Sequence, residues 1–511
     1  MSHALGIDVG STNAKVVLVA ADGRTIATAA RPIATRRDGE VAEQDPEALW
    51  RAVASAIREV VAADRPAAGD IAAIGVCSQY SSIVPVDARG RAVAPLKMYM
   101  DRRGGDRTWS ILERHADAFP LWIERHGIPP LGSGVSLAHL LHFQHERPDV
   151  HARTAAYLEP MDFVNLRLTG RAVANQCTMM MAGVCDNRTV GVTRYDDDLV
   201  RVTGLDPTRL PPLGAIDGVV GPIASDVAAE LGLPKRAVVH AAMNDSQAAA
   251  FATGAFGSGR AGVVIGTTSV LLDDIAEKAL DLDHLLMSMP SPLPGRYLVW
   301  AENGIAGKAV EHILQRVLQA DDALGGPSRG DAFEALDAAL AAAPPASGGV
   351  LFLPWLGGSL APCLADTMRG GFLNVSLDTS RLDLVRATIE GIAHNLRWLL
   401  GHVEAFTGRR IEEVAFAGGA ARSRGWAQIL ADVLDRPVHV VADSSTAVAR
   451  AAGLVALFRN EERPAEDASA LARESAVCEP AAAHRARYDA MHAQFVAAFE
   501  AVRPICEALN G

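Results

Sequence analysis

The chain has 511 residues, 49% of them hydrophobic and 21% charged, and a formal net charge of −12 at pH 7. The hydrophobic content excludes a wholly disordered chain, and the length suffices for about two to four domains with substantial cores. The acidic balance argues against a nucleic-acid partner, because binding to a phosphate backbone requires a basic surface.

The cysteines and the apolar segments indicate where the protein works. The six cysteines are scattered and include no Cys-x-x-Cys pair, which argues against a zinc site or a disulfide scaffold and favours a reducing, cytoplasmic location. A strand-like segment begins within a few residues of the N-terminus, so we expect no signal peptide. No apolar run reaches the ~18 residues of a membrane-spanning helix, so we expect no membrane partner.

The first predicted element is a hairpin in which apolar residues alternate with glycine or aspartate, the period of a strand with one apolar face. Its turn, Gly10-Ser11-Thr12, offers N–H and hydroxyl donors to a phosphate, and we group Lys15 with it. Asp8 is placed to hold a hydrated Mg²⁺ on that phosphate. An ordinary hairpin, with Asp8 satisfied by nearby N–H groups, explains these residues equally well.

A helix and a strand follow the hairpin. Asp45-Pro46 predicts the start of a helix that runs to about residue 63. A buried strand over 71–76 ends in a polar turn, the position at which open α/β sheets place ligands. Gln79 and Tyr80 in this turn, and Asp101 further on, are candidate contacts for a polyhydroxylated substrate. Surface loop residues would look the same.

The leading catalytic candidate is Asp245. It lies between a predicted strand over 238–243 and an alanine-rich helix that ends near residue 253. The helix dipole favours its ionised form, so it could accept a proton from a substrate hydroxyl that attacks phosphorus. It is also a candidate contact for the substrate and for a metal. The alternative is that Asp245 is simply the N-cap of the helix.

The pattern of the first hairpin recurs in the second half of the chain, where the turn Gly266-Thr267-Thr268 joins two apolar strands. Val264 stands where the first copy has Asp8, so only the first hairpin can give a carboxylate to a metal. Two such hairpins suggest duplicated domains that close on one nucleotide.

The later elements are a helix and loop over about 319–349, an amphipathic helix capped by Ser380, and a strand over 414–417. This strand leads to the turn Gly418-Gly419-Ala420 and Ser423, which suits close packing of an adenine or ribose against the backbone. The tail from about residue 465 is helical and alanine-rich.

Together these segments resemble the FGGY family of carbohydrate kinases over about residues 1–460. The matching segments, in order, are Gly6-Ile7-Asp8-Val9-Gly10-Ser11-Thr12, Glu43-Gln44-Asp45-Pro46, Tyr99-Met100-Asp101-Arg102-Arg103, Asn244-Asp245-Ser246-Gln247, Gly266-Thr267-Thr268, Phe352-Leu353-Pro354-Trp355-Leu356, Arg386-Ala387-Thr388-Ile389-Glu390-Gly391 and Gly418-Gly419-Ala420 with Ser423.

The resemblance implies an α/β fold of two actin-like (ribonuclease H-like) domains flanking a catalytic cleft. We expect a sugar-binding N-terminal domain over 1–253 that carries the base, an ATP-binding C-terminal domain over 254–460, and a helical extension over 461–511. The implied cofactors are ATP and Mg²⁺, the implied acceptor is a ketopentose such as xylulose, and the family often forms homodimers.

The departures from the family pattern concern the acceptor. Pentulose kinases usually carry Gln-Met-His-Gly where this chain has Gln79-Tyr80-Ser81-Ser82, and Gly358-Ser359-Leu360-Ala361-Pro362 replaces a Gly-Glu-Arg-x-Pro segment. The alternatives are therefore a kinase for another ketose or a polyol, an inactive sugar- or nucleotide-sensing protein, or an actin- or chaperone-like ATPase.

Overall fold

The computed structural model describes residues 2–257, 259–318, 320 and 335–511. Each half of the chain contributes one large mixed sheet. The N-terminal sheet has seven strands. They are β1 (His3–Val9), β2 (Asn13–Ala20), β3 (Thr25–Pro32), β4 (Ile71–Ser78), β5 (Val219–Pro222), β6 (Val238–His240) and β7 (Met243–Asn244).

The C-terminal sheet has eight strands. They are β8 (Ala261–Ile265), β9 (Thr268–Ile275), β10 (Leu280–Asp281), β11 (Leu286–Pro290), β12 (Tyr297–Ile305), β13 (Val414–Ala417), β14 (Val438–Val441) and β15 (Glu474–Cys478). The smaller sheets are formed by Arg36–Asp38, Val41–Gln44, Leu96–Lys97, Val84–Val86, Ala156–Leu158, Ala174–Asn175, Leu213–Gly214, Leu351–Leu353 and Gly371–Leu373.

The two sheets share one strand order. In the first, β3-β2-β1 are antiparallel neighbours, and β4 and β6 continue the sheet parallel to β1. In the second, β12-β9-β8 are antiparallel, and β13 and β14 continue parallel to β8. The two predicted hairpins thus occupy equivalent positions, which confirms the expected α/β fold with two similar halves.

The principal helices are α1 (Pro46–Ala63), α2 (Asp245–Thr253), α3 (Arg381–Thr407), α4 (Arg424–Leu434), α5 (Ala447–Asn460) and α6 (Arg485–Asn510). Other α-helices are Arg65–Gly69, Gly105–Arg114, Ala118–Leu121, Ser136–Glu146, Pro148–Arg153, Pro160–Thr169, Asp197–Thr203, Ser225–Leu231, Gly307–His312, Leu336–Ala342 and Asp467–Ala470. Helix α1 begins and ends where the sequence predicts, and the Asp45 side chain accepts the capping hydrogen bond from Glu47 N.

Two helices, α5 and α2, each contact the sheet of the other half. Helix α5, from the C-terminal half, lies on β1 and β4 of the N-terminal sheet and packs against α2. The contact with the sheet is so close that a Cβ atom on Gly6 would lie 1.8 Å from Ala449 O, and one on Gly75 would lie 2.0 Å from Ala452 O. Only a bare backbone allows a helix this near a strand.

The C-terminal helix α6 is anchored to the second half by a buried polar network. Tyr488 Oη donates a 2.6 Å hydrogen bond to Glu390 Oε1, and Arg386 Nε donates to the same oxygen at 2.7 Å. Glu390 also accepts from Ala346 N and Ser347 Oγ. The tail, for which the sequence indicated only helix, is therefore part of the C-terminal core.

Of the predicted helix and loop over 319–349, residues 319 and 321–334 lie outside the described residues, and helix Leu336–Ala342 occupies part of the remainder. Within the described ranges, no helix is both long and apolar enough to cross a membrane.

Replacing Gly6 with alanine tests the helix-on-strand contact. Because the new methyl group would meet a backbone carbonyl, we expect Gly6→Ala to lower the free energy of unfolding by about 1–3 kcal/mol or more. Urea unfolding followed by circular dichroism measures the change. Gly69→Ala is the control, because a Cβ atom there meets nothing within 4 Å. Equal midpoints for the two variants would contradict the packing described.

Candidate active site

Two cavities open on either side of the turn between β8 and β9. The larger, of about 430 Å³, lies between the halves and is lined by Ser11 and Asp245 from one half and by Thr268 and Glu302 from the other. The smaller, of about 330 Å³, is lined by Gly266 and other residues of the C-terminal half. We call them the interdomain cavity and the glycine cavity. The shared turn makes a group bound at residues 266–268 reachable from both.

The candidate acidic residues lie where parallel strands of the first sheet end. Asp8 of β1 and Met243 of β7 pair in register with Cys77 from opposite sides of β4, so Asp8 and Asp245 flank the end of β4, near enough for their charges to interact. Burial raises the pKa of Asp245 to about 7, and the negative charge of Asp8 adds to the effect. A carboxyl group tuned to this range can exchange a proton near neutral pH.

The helix cap is Asn244, not Asp245. Asn244 Oδ1 accepts a 2.8 Å hydrogen bond from Gln247 N, and Gln247 Oε1 accepts one of 3.0 Å from Asn244 N, which completes a capping box. The alternative interpretation of Asp245 as the N-cap is therefore wrong. Its carboxyl group is placed in the first turn of α2 and lines the interdomain cavity.

The surroundings of Asp8 fit a hydrated cation. Burial raises the pKa of Asp8, and Lys15 opposes this, with Nζ 3.7 Å from Asp8 Oδ2. The carboxyl groups of Asp8, which is buried, and Asp245, which is partly exposed, offer the oxygen ligands that Mg²⁺ prefers. The described residues contain no group of three or more His, Cys, Asp or Glu side chains that could hold a metal. This set therefore suits an ion that is held partly by a bound phosphate.

Gln79 lines the interdomain cavity, as the sequence predicts for a substrate contact. Gln44 Nε2 donates to Ser11 O at 2.8 Å, and Gln44 Oε1 accepts from Gln79 Nε2 at 3.2 Å. In the described part of the chain, Gln79 Oε1 is buried with no hydrogen-bond partner. A buried acceptor without a partner is a place for a ligand hydroxyl group. Gln44 orients it, a role that the sequence did not reveal.

Tyr80 also lines the cavity, next to Ser81. Ser81 has φ +55°, a left-handed conformation that is uncommon for a residue with a side chain. The turn is held by the buried carboxyl group of Glu159, which accepts from Ser82 N at 3.0 Å and from Ser136 Oγ. The segment that departs from the family pattern is thus firmly fixed against the cavity.

Asp101 has another place. It is not among the residues that line the interdomain cavity, and its side chain is fully buried. Its carboxylate accepts from Ala42 N at 3.0 Å and forms ion pairs with Arg103 at 2.5 Å and Lys97 at 3.4 Å. In the structure its carboxylate is therefore held by these partners, and its contact with a substrate stays a prediction.

The glycine cavity gathers most of the predicted nucleotide residues of the second half. Gly266, Thr267, Gly419, Ala420 and Ser423 line it. A Cβ atom on Gly266 or Gly419 would meet nothing within 4 Å, so the bare backbone leaves room for a ligand. The Ser423 hydroxyl is already engaged, because it accepts from Trp426 N at 3.0 Å to cap α4 and donates to Asp337.

The remaining phosphate- and nucleotide-binding candidates fall into two groups, those that line a cavity and those that do not. Thr268 and Ser11 line the interdomain cavity. Among the described residues, Gly10, Thr12, Lys15 and Gly418 line neither cavity. Gly418 has φ +95°, and a Cβ atom there would lie 2.3 Å from Ile265 O, so it is needed for packing beside β8.

Several lining residues carry no local sequence signal. Glu302 and Trp300 face the interdomain cavity from β12, and Lys308 and Asp337 line the glycine cavity. The one sequence signal for Trp300 and Glu302 is their spacing of two residues, which puts both side chains on the same face of a strand. Lys308 follows Gly307, whose Cβ atom would lie 2.2 Å from Gly266 O, so a Gly-Lys pair marks this second close approach.

Comparison with known proteins accounts for almost the whole chain. The N-terminal domain of the FGGY family of carbohydrate kinases matches residues 3–252, and the C-terminal domain of the same family matches residues 261–458. A xylulose kinase from Bacillus subtilis is 25% identical over 496 residues, which cover 96% of this chain and 95% of that protein.

Relatives with other acceptors are similarly close. A glycerol kinase from Citrifermentans bemidjiense is 28% identical and a gluconokinase from Bacillus subtilis 22%, over 86% of this chain and over 86% and 84% of those proteins respectively. The crystal structure of a xylulose kinase from Rhodospirillum rubrum superposes with a TM-score of 0.84 at 24% identity, covering 99% of this chain and all of that one. This likeness confirms the fold.

Neutralising Asp245 tests its burial. Its folded-state pKa is raised, so its ionisation costs stability from about pH 4 upward, in full above pH 7. Without added Mg²⁺, we therefore expect Asp245→Asn to melt at a higher temperature than the parent at pH 8 and at nearly the same temperature at pH 4.5. Asp378→Asn, in an exposed loop, should match the parent at both values. A lower melting temperature for Asp245→Asn at pH 8 would contradict the assignment.

Proposed function

Because the chain belongs to the FGGY family of carbohydrate kinases and is thereby an ATP-dependent sugar kinase, we propose that its acceptor is a neutral ketose or polyol, with a ketopentose such as xylulose as the first candidate. The observation that carries the proposal is the position of Asp245. It borders the interdomain cavity, whose opposite wall contains the turn that also borders the glycine cavity.

On the donor side, we propose that ATP occupies the glycine cavity. Its adenosine would lie against Gly419, Ala420 and the Ser423 region, and its phosphates would reach the N–H groups of the turn at residues 266–268. Gly10, Ser11, Thr12 and Lys15 would receive the terminal phosphate from the other half. Backbone donors suit this role because glycine lets a phosphate approach closely.

On the acceptor side, Asp245 would accept the proton of the attacking hydroxyl group at a carboxylate oxygen. A pKa near 7 leaves a useful fraction ionised at neutral pH, and the loss of Asp245 would remove this proton acceptor. Mg²⁺ at Asp8, directly or through water and with Asp245 nearby, would neutralise charge on the phosphates. Enclosure between the halves would keep water, a competing acceptor, away from the phosphoryl group.

The charges around the interdomain cavity favour a neutral acceptor. Asp245 and Glu302 line it, and no lysine or arginine is found among its described lining residues. Burial raises the pKa of Glu302, as expected for a carboxyl group without a cation beside it. An acceptor with its own carboxylate would meet repulsion here, so we place gluconate behind xylulose and glycerol.

The inactive sensor remains the rival from another functional class. A sensor would need neither a carboxylate for a metal nor a proton acceptor, whereas this chain keeps Asp245 in the lining of the interdomain cavity and Asp8 at the end of β1, where its charge acts on Asp245. An ATPase without a sugar acceptor would have no use for the unpaired Gln79 Oε1. The cytoplasmic location, the homodimer and the domain limits stay predictions.

A panel of acceptors tests the function. With MgATP, we expect ADP release to depend on xylulose, another ketose or a polyol, and kcat/KM for gluconate to be lower by at least about ten-fold because of charge repulsion. A coupled assay for ADP gives both values. ADP release that no sugar or polyol stimulates would favour the sensor or the ATPase.

Asp245→Asn tests the proton acceptor. We expect kcat to fall by about 10²–10⁴-fold while nucleotide binding by calorimetry stays close to the parent's, because Asp245 does not line the glycine cavity. Asp337→Ala is the reciprocal control. It removes the acceptor for Ser423 Oγ and Gly425 N, so it should weaken nucleotide binding and change kcat less. Near-normal turnover by Asp245→Asn would remove Asp245 from the mechanism.

A further inference from the structure

The interdomain cavity has one wall that a fully hydroxylated sugar does not need. Its apolar lining includes Met180 and Met181 of the first half and Met287, Met289 and Trp300 of the second. Met180 and Met289 belong to the apolar core between the halves, and Met181 and Trp300 pack against that core. We call these five residues the methionine wall. Four of the five therefore belong to or border one apolar cluster, and Met287 joins them through its pairing with Trp300.

Strand register builds the half of the wall that comes from the C-terminal sheet. Met287 pairs directly with Trp300 across β11 and β12, and Met289 lies two residues along β11 on the same face. Glu302, two residues beyond Trp300, continues this face and pairs with Val270 of β9. The sheet therefore presents thioether and aromatic groups in a row along one face, and the row ends at the carboxyl group of Glu302.

A hydroxyl group at the methionine wall would find few partners. Methionine sulfur is a weak acceptor, and the one donor of the wall is Trp300 Nε1, which is buried with no partner in the described part of the chain. Each further hydroxyl group buried there would lose its hydrogen bonds to water without replacement. A methyl or methylene group would instead gain contact with flexible, polarizable side chains that adapt to its shape.

We infer that the acceptor is a deoxygenated sugar or polyol, with hydroxyl groups towards Asp245 and Gln79 and a methyl or methylene end against the methionine wall. The inference rests on the proposed function, because it describes the acceptor of the same site. It narrows the neutral acceptors to those with an apolar end. One oxygen that accepts a hydrogen bond from Trp300 Nε1 is compatible with that end.

Matched acceptor pairs test the inference. The pairs are 1-deoxy-D-xylulose with D-xylulose, a 6-deoxyketohexose with its parent ketohexose, and propane-1,2-diol with glycerol. For the pair whose length suits the cavity, we expect kcat/KM to be at least about ten-fold higher for the deoxygenated member. One methyl or methylene group in an apolar pocket changes kcat/KM by about this factor. Calorimetry on the same pairs measures binding without turnover.

The outcomes separate the two proposals. Turnover in which no pair prefers its deoxygenated member overturns the inference and leaves the kinase function standing. Preferential binding of deoxygenated members without turnover supports the acceptor class and overturns the catalytic function. If the panel shows no turnover and no binding, both proposals are overturned.

Variants locate the preference at the wall. Met287→Gln replaces methionine with a polar side chain of similar length at a half-buried position. The ratio of kcat/KM for the deoxygenated member to kcat/KM for its parent should therefore fall at least several-fold, towards one. The ratio is insensitive to a general loss of folded enzyme. Met100→Gln is the matched control, because Met100 is equally half-buried but lies outside the cavity, where its sulfur accepts from Arg37. An unchanged ratio in Met287→Gln, or an equal fall in Met100→Gln, would contradict the role of the wall.

Discussion

The close approach of helix α5 to the glycines of two strands is the constraint on which the rest of the architecture depends. Gly6 lies on β1 two residues before Asp8, and Gly75 lies on β4, whose end leads to Gln79. The backbone carbonyls of α5 lie against these glycines and determine how closely α5 approaches the N-terminal sheet. The same contact positions the end of β1, which carries Asp8, and the end of the neighbouring strand β4.

A reciprocal contact positions the other side of the site. Helix α2 carries Asp245 in its first turn and Thr253 at its last residue, and a Cβ atom on Gly262 would lie 2.3 Å from Thr253 Oγ1. Gly262 belongs to β8, which leads into the turn at Gly266. One helix therefore links the candidate proton acceptor to the strand that presents the phosphate-binding turn. The cost is two neighbouring carboxyl groups whose pKa values are raised by burial, so a cation or a substrate is needed to compensate their charges.

The sequence predicted what depends on local pattern. Helix α1, the paired hairpins and the strand before Gly418 follow from periodicity, caps and glycine turns, and the structure confirms them. The capping alternative for Asp245 arose because both Asn and Asp cap helices, although the spacing of Asn244 and Gln247, which forms the capping box, favours Asn244. The partners of Asp101, the buried Lys97 and the backbone of Ala42, meet it only through folding, so the sequence did not predict these contacts. The anchoring of α6 through Tyr488 is likewise a long-range contact.

The two cavities differ in how their residues are specified. The glycine cavity is formed largely by turns, whose glycines must stay because a side chain would occupy the space or meet a neighbouring carbonyl. The interdomain cavity is lined by side chains from separate strands and loops, brought together by register and by the crossing helices. A substitution at one lining position, such as Met287, leaves the backbone of the phosphate turn unchanged. Acceptor selectivity can therefore change while the phosphoryl-transfer machinery is retained, and the methionine wall, not the hairpins, is where the identity of the acceptor is encoded.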